Sequence, residues 1–335
     1  MTVSPIDKMI AEKVVMAPMA GVADMPFRLM ARKFGCGFAF TEMIDVNGIF
    51  YKSRNTFHLM ERHPGDHPLG VQLVGQDEER IVHAARLCEE QGFEMLDINA
   101  GCPARKVVKC GKGAALLREP DKLARIIRRL KKELTIPITV KIRSGWNSTN
   151  LTYMEIAKAV ASEGASAICV HSRTRDQFYK GKADHNVVRE IKETLDIPVF
   201  ASGNILEPED VSKVMEMTGC DAVFVARGAL GRPWIFKEIK SVFGGEKDFN
   251  SPSFEELKSI IMEHFKLSCN FFSAKRAFAR MYKHLCWYLK RFKDLDPVMR
   301  EYRKVKDMES FREFMDRLQL DNGKYLVLER IRHKV

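Results

Sequence analysis

Six polar or ionisable side chains stand at the ends of short apolar runs, where a buried strand would otherwise stay apolar: Gln72, Asn99, Lys141, Arg143, His171 and Arg173. Any one of them fits a packing role, as a satisfied hydrogen-bond partner in a core. Six at equivalent strand ends in successive units are hard to explain by packing, because burying polar groups is unfavourable unless they serve one another or a ligand. Cys102 follows Asn99 by three residues in Asn99-Ala100-Gly101-Cys102-Pro103. A thiol there can act as nucleophile or as proton donor. No base stands beside it in the chain, as a nucleophile would usually require. Cys110 lies on the same long loop and is its rival, whereas Cys88, Cys169 and Cys220 suit helix, strand and pre-strand packing. Two further segments, Ser202-Gly203-Asn204 and Ala226-Arg227-Gly228, combine close-approach glycines with hydrogen-bonding and cationic groups, a combination that binds phosphate. Ala17-Pro18-Met19-Ala20-Gly21 adds an apolar wall that could face a flat ring.

These residues need a frame that brings strand ends together. Eight short runs rich in apolar and β-branched residues begin near positions 14, 38, 70, 95, 138, 167, 199 and 222. Helical patterns separate them, the clearest being Leu123/Ile126/Ile127/Leu130, Val187/Ile191/Leu195 and Val211/Val214/Met215. Most steps are 24 to 32 residues, the size of one strand-helix unit. Eight such units predict the α/β class and a (β/α)8 TIM barrel, whose functional groups gather at the C-terminal mouth of the strands. The long step from 95 to 138 must hold an extra loop, and that loop carries Cys102.

The expected barrel covers residues 1–243, a polar linker 244–252, and a C-terminal all-helical domain 253–335. In that domain Phe278, Met281, Leu285, Leu289 and Phe292 form an apolar stripe, while Arg276, Arg280, Lys283, Trp287 and Lys290 form a second. The stretch 275–293 contains seven Lys and Arg and no acidic residue. A solvated helix face would look much the same, but a basic row with an aromatic set into it also fits phosphate contacts.

The charge of the whole chain leans the same way. Its 55 Lys and Arg against 44 Asp and Glu leave +11, and residues 251–335 alone hold 19 against 12, hence +7. A basic module beside a nearly balanced one suits a polyanion such as nucleic acid. With 45% hydrophobic residues in 335, the composition excludes a disordered tail, a collagen-like fibre and a disulfide miniprotein. The eight cysteines contain no CxxC pair, so a zinc finger or disulfide framework is not expected. No apolar run approaches the length of a membrane span. The expectation is a cytoplasmic monomer without membrane or metal.

Six segments in order, Ala17-Pro18-Met19-Ala20-Gly21-Val22-Ala23-Asp24, Val71-Gln72-Leu73-Val74-Gly75, Asp97-Ile98-Asn99-Ala100-Gly101-Cys102-Pro103, Lys141-Ile142-Arg143-Ser144-Gly145-Trp146, His171-Ser172-Arg173-Thr174-Arg175 and Gly231-Arg232-Pro233-Trp234-Ile235-Phe236, resemble the tRNA-dihydrouridine synthase family, most closely its bacterial B-type branch. The resemblance implies an FMN-containing barrel that reduces the C5=C6 bond of selected tRNA uridines, with NADPH as electron donor. It implies that Pro18, Met19, Ala20, Gln72, Lys141 and His171 surround the flavin ring, and that Ser202, Gly203, Asn204, Ala226 and Arg227 hold its ribityl-phosphate end. Cys102 would protonate C5. Asn99, Arg143 and Tyr179 would hold the flipped base, while Arg276, Arg280, Lys283 and Lys290 would touch the tRNA backbone. Ser202-Gly203-Asn204 stands where Asn-Gly-Asp is frequent in that family, and Ala226-Arg227 where Gly-Arg is frequent. Two other readings share parts of this pattern: an FMN-dependent barrel oxidoreductase acting on a small pyrimidine or enone, and a barrel that binds RNA without chemistry.

Overall fold

The structure is a computed structural model that describes residues 3–245, 251–290 and 295–319. Eight parallel strands close into a barrel in chain order: β1 (Val14–Met16), β2 (Ala39–Asp45), β3 (Leu69–Val74), β4 (Met95–Asn99), β5 (Ile138–Arg143), β6 (Ala167–His171), β7 (Val199–Ser202) and β8 (Ala222–Val225), with β8 pairing back onto β1. Nearly every strand residue is buried, as expected when helices cover one face of a parallel sheet and the barrel interior the other. The outer helices follow the sequence periodicity. Pro120–Glu133 buries Leu123, Ile126, Ile127 and Leu130, and Pro208–Thr218 buries Val211 and Val214. The latter starts with a capping box between Glu207 and Asp210 and stops at Gly219 in the left-handed region, so both ends have local reasons.

Strand β2 is longer than its apolar run Phe38–Thr41. The register against β3 shifts between Phe40 and Met43, a bulge that re-aims side chains near the mouth. It lets Glu42 stay buried beside a cation and turns Met43 toward the interior cavity.

Among the described residues three apolar cores result. The largest lies between strands and surrounding helices. A second fills the lower barrel with Phe38, Phe40, Phe200 and Phe224, whose neighbouring ring centres lie 5.4 to 5.9 Å apart. Helix Pro5–Glu12 closes that end with Ile6 and Met9. The third core belongs to the helices Phe254–Phe271, Ala274–Tyr288, Leu295–Tyr302 and Met308–Arg317, and includes Leu257, Phe265, Met281, Leu285 and Phe311.

Trp234 precedes all four of those helices in the chain, yet it joins their core and stacks on Tyr288 with ring centres 6.4 Å apart. Nearby, Gly231 has φ +65°, and a Cβ there would lie 2.2 Å from the carbonyl carbon of Trp287. Only glycine permits that approach of two backbones. Residues 246–250 of the expected linker, Phe292 of the expected apolar stripe and 320–335 of the expected helical domain lie outside the described residues. Among the described residues no helix is long and apolar enough to cross a membrane.

Candidate active site

A cavity of about 360 Å³ opens at the C-terminal mouth of the barrel, within the usual range for ligand sites. The structure brings to it Pro18, Met19, Ala20, Gln72, Asn99, Cys102, Lys141, Arg143, His171, Tyr179, Ser202, Gly203, Asn204, Ala226 and Arg227, all of the barrel residues assigned to flavin or base by the family resemblance. Strand register explains the convergence. Asn99 pairs with Lys141 across β4 and β5, Arg143 with His171 across β5 and β6, and His171 with Ser202 across β6 and β7, so strand-end side chains emerge at neighbouring levels. Met43, Ile205 and Leu206 also line the cavity. Met43 lies beyond the apolar run Phe38–Thr41, separated from it by the charged Glu42, and so escaped sequence reading.

One wall is a directed hydrogen-bond chain. Asp97, fully buried on β4, accepts from Gln72 Nε2 at 2.6 Å and from Thr139 Oγ1 at 2.7 Å. With its amide nitrogen so engaged, Gln72 presents Oε1 to Asn99 Nδ2 at 2.8 Å. Asn99 then presents Oδ1 to the backbone N–H groups of Gly101, at 3.1 Å, and Cys102, at 2.8 Å. An ionised carboxylate only accepts, so Asp97 sets the orientation of both amides and, through them, the turn carrying the thiol. Burial pushes the Asp97 carboxyl up to about 6, opposed by these donors and by Lys141. Nothing in a strand reading of Met95-Leu96-Asp97-Ile98 reveals this tie.

Cys102 itself is half-buried at the cavity, while Cys110 is exposed and does not line it. Burial raises the Cys102 pKa, with the Ala104 N–H and the Arg143 charge pulling the other way. A thiol held above its ordinary value stays protonated at neutral pH, the state a proton donor needs. Arg143 is clamped by carbonyls on two sides: Nε donates to Gly101 at 2.8 Å, and Nη1 to Thr174 at 2.9 Å and Phe178 at 2.7 Å. Its guanidinium carbon lies 5.4 Å from the centre of the Tyr179 ring, which roofs the cavity from the loop after β6.

The opposite wall is cationic. His171 is held neutral, its pKa driven well below the usual value by burial and then by Lys141, Arg143, Arg173 and Arg227. Arg173 donates from Nη2 to Gly181 O at 2.7 Å and to Asn204 Oδ1 at 2.6 Å, and burial beside Arg227 and Arg143 pulls its pKa down to about 10. Its Nη1 and His171 Nδ1 are both buried without a hydrogen-bond partner. Gly203, at φ +115°, brings its backbone close to both residues. Cations that repel one another, the unpartnered Arg173 Nη1 donor and a glycine approach all call for an anion at this end. Pro18, Met19, Ala20 and Met43 supply an apolar shelf along the cavity. A flat heteroaromatic ring carrying a phosphate, as in FMN, fits this donor set.

Outside the barrel the basic row divides. Lys283 and Lys290 are exposed, and Arg276 lies half-buried over the Phe272 ring at 4.9 Å. Arg280 departs from the expectation of a tRNA-backbone contact. It turns inward, with Nη1 2.7 Å from Asp24 Oδ2 and 2.9 Å from Glu42 Oε1, at the seam between helices and barrel. Helical spacing put Arg280 in line with the lysines but could not show that this part of the row meets buried carboxylates.

The comparisons with known proteins agree with one another. A family model described as dihydrouridine synthase matches residues 15–322. The tRNA-dihydrouridine synthase B of Xanthomonas axonopodis pv. citri (strain 306) is 37% identical over 281 residues, covering 84% of this chain and 85% of that protein. The protein of the same name from Pseudomonas aeruginosa is 37% identical over 292 residues, covering 87% and 86%. Among solved structures, histamine dehydrogenase from Rhizobium sp. 4-9 matches with a TM-score of 0.55 at 12% identity, over 76% of this chain and 49% of that one, a likeness of fold alone.

Proposed function

Because the chain belongs to the dihydrouridine synthase family, we propose that it reduces the C5=C6 bond of selected tRNA uridines to 5,6-dihydrouridine in the cytoplasm, with FMN as cofactor and NADPH as electron donor. The observation that carries this reading is Cys102, a thiol kept protonated at the rim of a cavity with one apolar shelf and one cationic end. Pro18, Met19 and Ala20 would lie against the flavin ring with Gln72, Lys141 and His171 around its polar edge. Ser202, Gly203, Asn204, Ala226 and Arg227 would hold the ribityl phosphate. Held there, FMN would supply the hydride chemistry of the reduction, with NADPH as the electron donor.

The residues of the chain handle charge and proton. Reduction at C6 leaves negative charge shared between C5 and the neighbouring carbonyl oxygen. Arg143, fixed in plane by its carbonyl clamps, faces that charge, and Cys102 transfers its proton to C5. The resulting thiolate sits beside Arg143 and takes a proton back from solvent. Asn99 and Tyr179 would orient the base from the floor and roof of the entrance. A uridine inside a folded tRNA must leave its stack to reach the mouth, at a cost of a few kcal/mol. Phosphate contacts from Arg276, Lys283 and Lys290 would offset it.

The test compares wild type with Cys102→Ala. The variant is expected to retain yellow, FMN-bound protein and NADPH oxidation but to lose most dihydrouridine, measured by mass spectrometry of tRNA nucleosides. Full tRNA reduction by the variant would remove Cys102 as the acid. A wild-type protein that neither carries nor binds flavin would sink the reading as a whole.

A further inference from the structure

Arg280 belongs to the helix Ala274–Tyr288, yet it reaches into a seam where both its partners are nearly sealed from solvent, Asp24 at 1% and Glu42 at 7% side-chain exposure. Its Nη1 proton points at Asp24, so the bond to Asp24 is a directed one and the contact with Glu42 is ionic. The guanidinium lies over the Phe272 ring, 4.7 Å from its centre, which fixes its plane. Each carboxylate has a second duty. Asp24 Oδ1 accepts from the Phe27 N–H at 3.0 Å and caps the helix Met25–Lys33. Glu42 Oε2 accepts from the Gly21 N–H. The two acids thereby hold both ends of the segment from Gly21 to Asp24, which continues directly from the cavity shelf Pro18, Met19 and Ala20 and contributes Val22 to the same cavity.

Two buried carboxylates side by side repel each other and resist desolvation unless a cation joins them. His264 and His284 approach Asp24 closely enough that one atom from each of the three lies within 4.8 Å of the others. Burial keeps both rings neutral, so they bring no positive charge. Asp24 already has both oxygens engaged, Oδ1 by Phe27 and Oδ2 by Arg280. The cation of the seam is thus a side chain from outside the barrel.

We infer that Arg280 is a positioning residue through which the docked helical module sets the apolar shelf of the cofactor cavity. Cofactor retention then depends on a contact made outside the barrel, and the exposed lysine Lys283, one turn along the same helix, is mechanically joined to the flavin side. The inference rests on the FMN reading, and its test separates the two.

Full-length wild type, Arg280→Met and Arg280→Lys would be compared in two measurements. The first is hydrogen exchange of amides 17–24 in protein stripped of flavin. The second is FMN affinity, read by quenching of flavin fluorescence. Arg280→Met is expected to raise the FMN Kd about tenfold or more and to speed exchange in 17–24, while amides of β5 to β7 keep wild-type protection. Arg280→Lys, which keeps charge but loses the planar fork, should fall between. Neutralising the acids in Arg280→Met/Asp24→Asn/Glu42→Gln should recover part of the affinity. Wild-type affinity and wild-type exchange in Arg280→Met would overturn the inference. If Arg280→Met does not fold, Arg280→Lys decides on the same two readouts. Wild-type protein that fails to bind FMN would defeat the cofactor reading, and the exchange measurement would still decide the role of Arg280.

Discussion

The eight strands enclose two different interiors. Below, Phe38, Phe40, Phe200 and Phe224 fill the barrel with rings, and helix Pro5–Glu12 seals the end with Ile6 and Met9. Above, within the same strands, Asp97, Gln72 and Asn99 are joined by directed hydrogen bonds, with Lys141 and His171 beside them at the cavity. The lower half answers to volume, because apolar contacts have no preferred donor or acceptor and contribute about 1.5–3 kcal/mol per buried large side chain. The upper half answers to direction, because each amide there can point two ways and only one leads to Cys102. Stability is concentrated below, and specificity of geometry above.

Phe200→Ala should break the lower half alone. It removes a fully buried ring and is expected to cost about 3–5 kcal/mol of unfolding free energy by urea titration, with dihydrouridine formation per folded molecule nearly unchanged. A comparable loss of turnover in folded protein would erase the division between the halves.

Asp97→Asn does the opposite. The new amide can offer either oxygen or nitrogen to Gln72, so the orientation of Gln72 and Asn99 is no longer imposed, and turnover is expected to fall about 100-fold while FMN remains bound. Stability should be spared. Burial raises the Asp97 pKa to about 6, so in wild type the folded state holds a proton that the unfolded chain has already lost. This group therefore makes stability decline as pH rises from about 4 to about 6, and Asp97→Asn removes that decline. A variant with lower stability at pH 7 and normal turnover would reverse the assignment.

The seam titrates with the contrary sign. Burial, then Arg280 and Lys283, push the His284 pKa down to about 3, so below its ordinary value near 6.5 the unfolded chain takes up a proton that the folded chain refuses. Its contribution is present above that value and fades as pH falls toward 3. His264, Asp24 and Trp287 face the same ring. Chemical denaturation of His284→Phe between pH 7 and 4 should show a shallower loss than wild type; an equal slope would place the acid lability elsewhere.

The smallest effect is expected at the surface. Lys283→Ala and Lys290→Ala should each weaken tRNA binding modestly and reduce the slope of log affinity against log salt by about one. Slopes equal to wild type would mark both lysines as merely solvated.

Much of the frame was legible in the chain because parallel barrel strands, buried on both faces, leave continuous apolar runs bounded by polar strand ends. Gln72, Asn99, Lys141, Arg143 and His171 of the cavity followed from those ends, whereas Tyr179 came only from the family resemblance. What escaped has physical reasons. The bulge in β2 hides behind a charge at Glu42, and its extra residues carry Met43 to the cavity. Periodicity showed that Arg276, Arg280, Lys283 and Lys290 share a helix face, but a face says nothing about the carboxylates opposite, and Arg280 meets two. Trp234 sits before the apparent linker and yet belongs to the helical core, since chain order does not dictate which core a large ring fills. Residue types alone left Cys102 and Cys110 as rivals; the family resemblance singled out Cys102, and it is Cys102 that lines the cavity.

Helix Pro5–Glu12 precedes all eight strands in the chain, but its seat is built from β1 and β8, and the backbone of Lys13 is tied to Val223 at 2.9 Å. Nothing can receive Ile6 and Met9 until residue 225 has been synthesised and the eighth strand has closed the ring. The helix thus finds its full seat only after β8 has joined β1, and its docking marks the moment the barrel is complete.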